Sequence, residues 1–444
     1  MDKSGMAPTV SPPESGVDER TPPAVVRMPS VGKANARSGS AGAAEPTKQD
    51  AEAAPVAPTT DSPQTSVVVV HDVESLKSHV KAWEDLAANV VEPNVFYEPW
   101  MLLPAMELLR EGADFVFALV FADRGPTTPG TLIGLFPFER TKSLGRFPPK
   151  TLRLWRHNYL YSCTPLVRVR HGEECLDAIF NWLATTREGA GLVRFDYITG
   201  DGQFFPLLDD AIRKHTSMSS VGTVFSRAAF RRAADAETYL KHALSGDYRR
   251  QMKRKERRLA DSGKLEYVTL GPEDNLDDWL ENFLRLEASG WKGKEGTALA
   301  STPSDREFFL RFAREAFRQN RLIMQGLTLD GRPIAQYCAL TAGHGSFDFK
   351  PAYDEDYGRY SPGILLELER FRYLHSRPEL DWMDSCSKRD SFRNALWGQR
   401  RVIVFVAVSA GSISGDLRVA TWPIFRWMAR TARKVMGSKT ESLG

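Results

Sequence analysis

The feature that most constrains this 444-residue chain is a repeat in the order of its predicted elements. Apolar periodicity places strands at Val67–Val70, Phe115–Phe121, Leu132–Glu139, Thr151–Tyr161, Leu192–Ile198 and Val221–Phe230. Helices are expected over Val73–Ala88, Glu98–Arg110, Glu173–Thr186 and Phe205–His215. The same order then returns. A strand at Leu265–Leu270 precedes helices at Leu276–Ala288 and Ser304–Asn320. A hairpin, Leu322–Leu329 and Ile334–Ala342, turns at Asp330-Gly331-Arg332-Pro333, and Ser346–Lys350 continues the meander. A helix from Ser361, a strand at Leu380–Asp384, a short helix at Asp390–Trp397 and a strand at Val402–Val408 complete the set. Matching elements lie roughly 190–200 residues apart, so the chain reads as two copies of one mixed α/β domain, 66–232 and 233–410.

The flanks differ in kind. Residues 1–65 contain no Phe, Trp, Tyr, Leu or Ile and are rich in Pro, Ala, Ser and Thr. Such a segment buries too little apolar surface to offset its ordering entropy, so it reads as a disordered tail. Residues 411–444 form a second tail, basic and amphipathic. Arg418, Arg426, Arg430 and Arg433 fall on one side, and Ala420, Ile424, Trp427 and Met428 on the other. Docking on the domain and peripheral contact with an anionic membrane both fit it, although Pro423 interrupts a continuous helix. The net charge of +3 gives no reason to expect DNA. Four scattered cysteines without a CxxC pair argue against a disulfide framework or structural zinc, and no metal is expected. With no apolar leader segment at the N-terminus, a cytoplasmic location is expected.

The stretch Ser346–His375 carries the chemistry. A strand with alternating Phe347, Asp348, Phe349 and Lys350 runs into a loop dense in tyrosine and carboxylates. Ser361 suits a helix cap, Pro362 the first helical position, and Gly363 leaves the amides bare. Free amides and the helix dipole make such a junction an anion site.

Several strings in the second half resemble a known family. Leu286-Glu287-Ala288-Ser289-Gly290-Trp291-Lys292-Gly293 is followed by Gly296-Thr297-Ala298. Lys350-Pro351-Ala352-Tyr353-Asp354-Glu355 precedes Tyr360-Ser361-Pro362-Gly363, and Asp384-Ser385-Cys386 precedes Trp397. With the order of elements, these are similar to CelD-type proteins, acetyltransferase-like members of the GNAT N-acyltransferase superfamily associated with cellulose and exopolysaccharide synthesis. The likeness covers about residues 90–408. It implies a tandem duplicated GNAT fold and an acyltransferase, with acetyl-CoA or another acyl-CoA as donor and a glycan precursor as acceptor. One departure stands out. The usual GNAT pyrophosphate loop runs Gln/Arg-x-x-Gly-x-Gly/Ala, whereas Arg359 to Gly363 is spaced differently and Pro362 removes an amide. Fem-type ligases share the doubled fold and use aminoacyl-tRNA, so tRNA stays open as an alternative partner. A non-catalytic subunit of a glycan synthase is the other alternative.

Acyl transfer needs a cradle for the carrier, donors for the developing oxyanion and a base. The resemblance places the cradle at Arg359, Ser361, Gly363, Ile364 and Leu365. Lys350, Tyr353, Asp354, Glu355 and Asp384 are the catalytic candidates, and Glu287, Trp291 and Lys292 the acceptor-binding ones. The plain alternative for each is structural: loop hydrogen bonds, a capped helix, a packed tryptophan. Cys386, with no histidine near it in sequence, reads as an apolar filler. A basic helix, Arg249 to Gly263, is expected to dock through Tyr248, Met252 and Leu259, showing its charge to solvent or to an anionic partner. The counterpart of the 346–375 stretch, from about Thr151 to Glu173, lacks a Ser-Pro-Gly start, so one working site is expected.

Overall fold

The computed structural model describes residues 25–27, 65–110, 112–122, 130–141, 151–186, 191–389, 391–410, 415–417 and 419–421. Most of both tails therefore lies outside the described residues, including the basic amphipathic C-terminal tail beyond residue 421. Among the described residues no helix is long and apolar enough to cross a membrane.

The first half runs β1 (Val25–Arg27), β2 (Thr65–Val70), α1 (Val73–Lys77), α2 (Val80–Ala88), α3 (Pro99–Leu108), β3 (Asp114–Ala122) and β4 (Thr131–Thr141). It continues β5 (Thr151–Leu154), β6 (Leu166–Val167), α4 (Gly172–Thr185), β7 (Leu192–Thr199), α5 (Phe204–His215) and β8 (Ser219–Arg231). The second half opens with α6 (Ala236–Ala243) and α7 (Gly246–Ala260), then β9 (Leu265–Thr269), α8 (Leu276–Ser289), α9 (Trp291–Lys294) and α10 (Pro303–Arg318). It closes with β10 (Leu322–Leu329), β11 (Arg332–Ala342), β12 (Gly345–Tyr353), α11 (Pro362–Ser376), β13 (Trp382–Asp384) and β14 (Gln399–Ser409). The helix expected over 73–88 is broken at Ser78, whose hydroxyl donates to the Ser75 carbonyl and competes with the helical ladder. The strand expected over 151–161 stops at Leu154.

All but two of these strands follow one path across a single mixed sheet, in the order β2-β3-β4-β5-β7-β14-β8-β13-β12-β11-β10-β9. The order reads alike from either edge. Four antiparallel strands are followed by a parallel pair, β5 with β7 in one half and β12 with β13 in the other. At the centre β14 lies between β7 and β8, and β8 between β14 and β13. Each half thus inserts its last strand beside the fifth strand of the other. A cut at 232/233 divides the chain order but not the sheet.

The core is continuous as well. Phe96 of the first half meets Phe347 of the second edge-on at 5.6 Å, and one apolar cluster joins α3 and α10. Burying a phenylalanine stabilises by about 1.5–3 kcal/mol, so a cluster of this size fuses the halves.

Candidate active site

The parallel pair β12–β13 is short. It joins Gly345, Ser346 and Phe347 to Trp382, Met383 and Asp384, and then the strands part. Beyond that point β12 offers residues 348–353 on a freed edge. A β-bulge between Asp348 and Lys350, opposite Cys338 and Ala339, sets which way their side chains face. Asp348 points to α11, where Arg370 holds it in a two-pronged ion pair. The extra residue, Phe349, puts Lys350 on the opposite face, toward α8. Regular alternation resumes, and Tyr353 returns to the α11 face.

On the α8 face, Glu287 is fully enclosed. Its Oε1 accepts from Lys350 Nζ at 2.9 Å and Lys292 Nζ at 3.1 Å, and its Oε2 from the Leu299 amide at 2.8 Å. Lys292 also donates to the Pro351 carbonyl at 2.8 Å. Burial opposes ionisation of Glu287, but the two ammonium groups outweigh it and hold its carboxyl below the usual range. Burial pushes Lys292 down to about 8, assisted by Lys350 and resisted by Glu287. Lys292 thus gives up its proton about two units of pH below an ordinary lysine, because burial and Lys350 outweigh Glu287. Lys350 Nζ also lies 5.0 Å from the ring centre of Tyr159, which comes from the first half.

On the α11 face the arrangement is cationic. Ser361 sits at the cap position in the left-handed region, φ 57° and ψ 53°, with no side-chain cap bond. Its hydroxyl accepts instead from Lys255 Nζ of α7 at 2.7 Å. The expected capping role is therefore corrected: the backbone at Ser361 turns the hydroxyl to α7. The expected amide cradle is corrected too. The Ile364 and Leu365 amides both donate to the Ser361 carbonyl, at 2.9 and 3.1 Å, and the Leu365 side chain is buried. Gly363 remains, close to Tyr353: a Cβ there would lie 3.6 Å from that ring. Exposed Arg359 stacks on Tyr360 at 4.7 Å. The basic helix docks as expected, with Met252 and Leu259 buried and Tyr248 packed against the same apolar clusters as Ile364 and Leu368. Arg250, Lys253, Arg254, Arg257 and Arg258 face outward.

Other sequence candidates sit in hydrogen-bond and ion-pair networks of their own. Asp384 is enclosed, with Arg227 Nη2 at 2.7 Å, Arg401 at 3.3 Å and the Cys386 amide at 2.9 Å. Burial works against its charge, but Arg227 and Arg401 prevail and keep it ionised. It ties β13 to β8 and β14. Asp354 caps the 355–360 turn and pairs with Arg332 at 2.7 Å. Glu355 accepts from the Trp291 amide at 2.6 Å and Lys294 at 2.8 Å, clamping α9 to the same turn. Burial, with Glu355 nearby, raises the Tyr353 phenol. The Trp291 side chain is 47% exposed, so it is not a packed core residue. Burial, with Asp384 beside it, raises the Cys386 thiol well above its ordinary range, which suits a filler and not a nucleophile.

Lys255 and Tyr159 join the site without having been singled out from the sequence. Both lie in strings that the sequence marks, the basic helix and the segment after β5, but their contacts are long-range. The ion-pair cluster of Asp348, Glu367, Arg370 and Arg393 beneath α11, with Tyr337 accepting a hydrogen bond from Arg393 at 2.9 Å, likewise had no local signal.

Residues 246–392 match the family described as acetyltransferase (GNAT) domain. The match spans about a third of the chain and lies within its second half. With the two-fold order of the sheet, the fold is a duplicated GNAT fold. No curated protein matches the chain. Among solved structures, FemX is 10% identical and covers 79% of this chain and 98% of its own, with a TM-score of 0.49. L-PGS from Bacillus licheniformis is 14% identical, covering 80% and 96%, with a TM-score of 0.43. A tandem GNAT protein from the clavulanic acid biosynthesis pathway is 13% identical, covering 79% and 99%, with a TM-score of 0.37. At these scores none of them bears on activity.

Proposed function

We propose that the protein transfers an acyl group from acyl-CoA, acetyl-CoA in the simplest case, to an amine or hydroxyl of an exopolysaccharide precursor. The observation that carries this reading is the freed edge of β12, which has an amine–carboxylate cluster on one face and a cationic corner on the other. The acceptor class rests on the CelD-type strings alone. Lys255, Arg359 and the Gly363 amide suit the phosphates of an anionic carrier through side-chain charge, in place of the row of amides a regular GNAT loop presents. The carrier supplies an activated acyl group, and the protein's residues do the rest. Lys292, its proton loosened by burial, takes the proton of the incoming nucleophile. Glu287 and Lys350 fix its position, and Tyr353 stands on the carrier face to return a proton to the leaving thiolate.

A second reading is favoured by α7, whose exposed cations flank the same corner: an aminoacyl-tRNA donor, as in Fem-type enzymes. Calorimetry of the full chain with acetyl-CoA and, separately, with charged tRNA decides between them. Saturable CoA binding that weakens in Gly363→Trp supports the first reading. Absence of CoA binding, with tRNA binding that falls steeply with salt, replaces it with the second. Neither ligand binding leaves a non-catalytic partner subunit.

A further inference from the structure

The lysine that shares Glu287 with Lys292 is held from both halves of the molecule. An ammonium has three hydrogens to donate. Lys350 Nζ gives one to Glu287 Oε1 at 2.9 Å, and the Thr297 carbonyl lies 3.4 Å away. The third partner is the ring of Tyr159, whose centre is 5.0 Å from Nζ and which belongs to the segment after β5. A cation within about 6 Å of an aromatic face is drawn to its negative π cloud. The Lys350 side chain keeps 11% of its surface open, whereas that of Glu287 keeps none, so Lys350 is the member of the pair with a route to water.

Tyr159 is fixed on every side. Its ring stacks on Phe308 of α10 at 5.8 Å and leans on Phe349 of β12 at 6.0 Å. The segment that carries it is clamped by buried Asn94, whose Nδ2 donates to the Ser162 and Thr164 carbonyls at 3.1 and 2.8 Å. Burial, then the Asp305 carboxylate beside its hydroxyl and Glu287, raise the phenol well above its ordinary range. The ring is therefore neutral at any working pH and keeps its full π charge.

We propose, on the reading of Lys292 as the base, that Tyr159 is a positioning residue lent by the first half: its ring holds the Lys350 ammonium against Glu287. The consequence falls on Lys292. The charged groups that face Lys292 are Glu287 of α8, Lys350 of β12 and Arg393 of the turn after β13. Glu287 favours its proton, and the two cations oppose it. Without the ring, Lys350 swings toward water and leaves Glu287 to Lys292 alone, so Lys292 keeps its proton to higher pH. The first half thus sets the working pH of a base that lies in the second.

The test is an NMR titration of the lysine side chains in the full chain without substrate, the Lys292 signal being assigned by its loss in Lys292→Arg. Lys292 should titrate at about 8 in the unaltered protein. Tyr159→Leu should raise that midpoint by about one pH unit, a tenfold gain in proton affinity. Tyr159→Phe should leave it in place. Successive fluorination of that phenylalanine drains the π face with little change of shape, and should raise the midpoint stepwise. Lys350→Met should raise it as far alone as together with Tyr159→Leu, because both act on one charge. A midpoint unmoved by Tyr159→Leu or by fluorination, or shifts from the two substitutions that add, overturns the proposal and leaves Lys292 as the base. A Lys292 that titrates as an ordinary lysine in the unaltered protein overturns both.

Discussion

The two halves share one strand order but treat the gap between their parallel strands in opposite ways. In the second half β12 and β13 part after Phe347 and Asp384, and the freed edge carries Lys350 and Tyr353. In the first half β5 and β7 pair only over Thr151–Arg153 with Leu192–Arg194. There the chain itself fills the gap: the Cys163 amide donates to the Tyr197 carbonyl at 3.0 Å, and Thr164 and Thr199 approach at 3.5 Å. The helix starts differ in the same sense. α4 has Glu173 and Glu174 in its first turn, so side-chain carboxylates already meet its dipole, whereas α11 has no acid in its first turn and Lys255 beside it. The filled gap is not idle. The segment that plugs it places Tyr159 and Tyr161 against Phe349, at 6.0 and 6.2 Å, and so builds a wall of the other half's site. On the proposed function, one copy of the fold serves the chemistry and the other supports it.

The sharpest way to break this comparison is Lys292→Met. If the second half alone carries the base, kcat falls about 10²–10⁴-fold while the thermal transition is retained; a residual rate near wild type ends the assignment. Next is Asp384→Ala, which strands Arg227 in the interior. It should cost about 3–5 kcal/mol in urea unfolding, with turnover per folded molecule preserved, since Asp384 joins the halves and does not react. Replacing both Lys255 and Arg359 with Glu should raise KM for the donor about tenfold, more so at low salt, with kcat little changed.

The pH profile is a finer probe. Lys292 acts as a base only when neutral, so kcat should climb as pH rises toward about 8 and level off above it. Lys292→Arg, charged throughout, should remove that rise. Stability has its own sign. The folded Lys292 titrates at about 8 and the unfolded one near 10.5, so between those values the unfolded chain binds more protons and this group's contribution to stability increases with pH. The smallest effect belongs to Glu173→Lys on the exposed start of α4. Donor KM should not move and stability should stay within about 0.5 kcal/mol, because no carrier binds there.

Much of this was legible along the chain. The position proposed for the site rests on local features: the alternation of 346–350, Pro362 and Gly363 opening a helix, and the cations of α7. Which of its residues do chemistry was not, because that depends on partners distant in sequence. Asp384 and Lys292 are both charged residues in matching strings, yet one is clamped by Arg227 and Arg401 and the other shares Glu287 with Lys350. The amides at Ile364 and Leu365 looked free, but the left-handed turn at Ser361 points its carbonyl at them.

By itself the sequence determined the doubled order of strands and helices, since apolar period and helix caps are short-range. Tertiary structure decided three further things: the exchange of β8 and β14 between halves, the bulge that sends Lys350 to α8 and not α11, and the filling of one gap but not the other. Each is set by pairing between segments far apart in sequence, where a one-residue shift in register reverses which face a side chain takes.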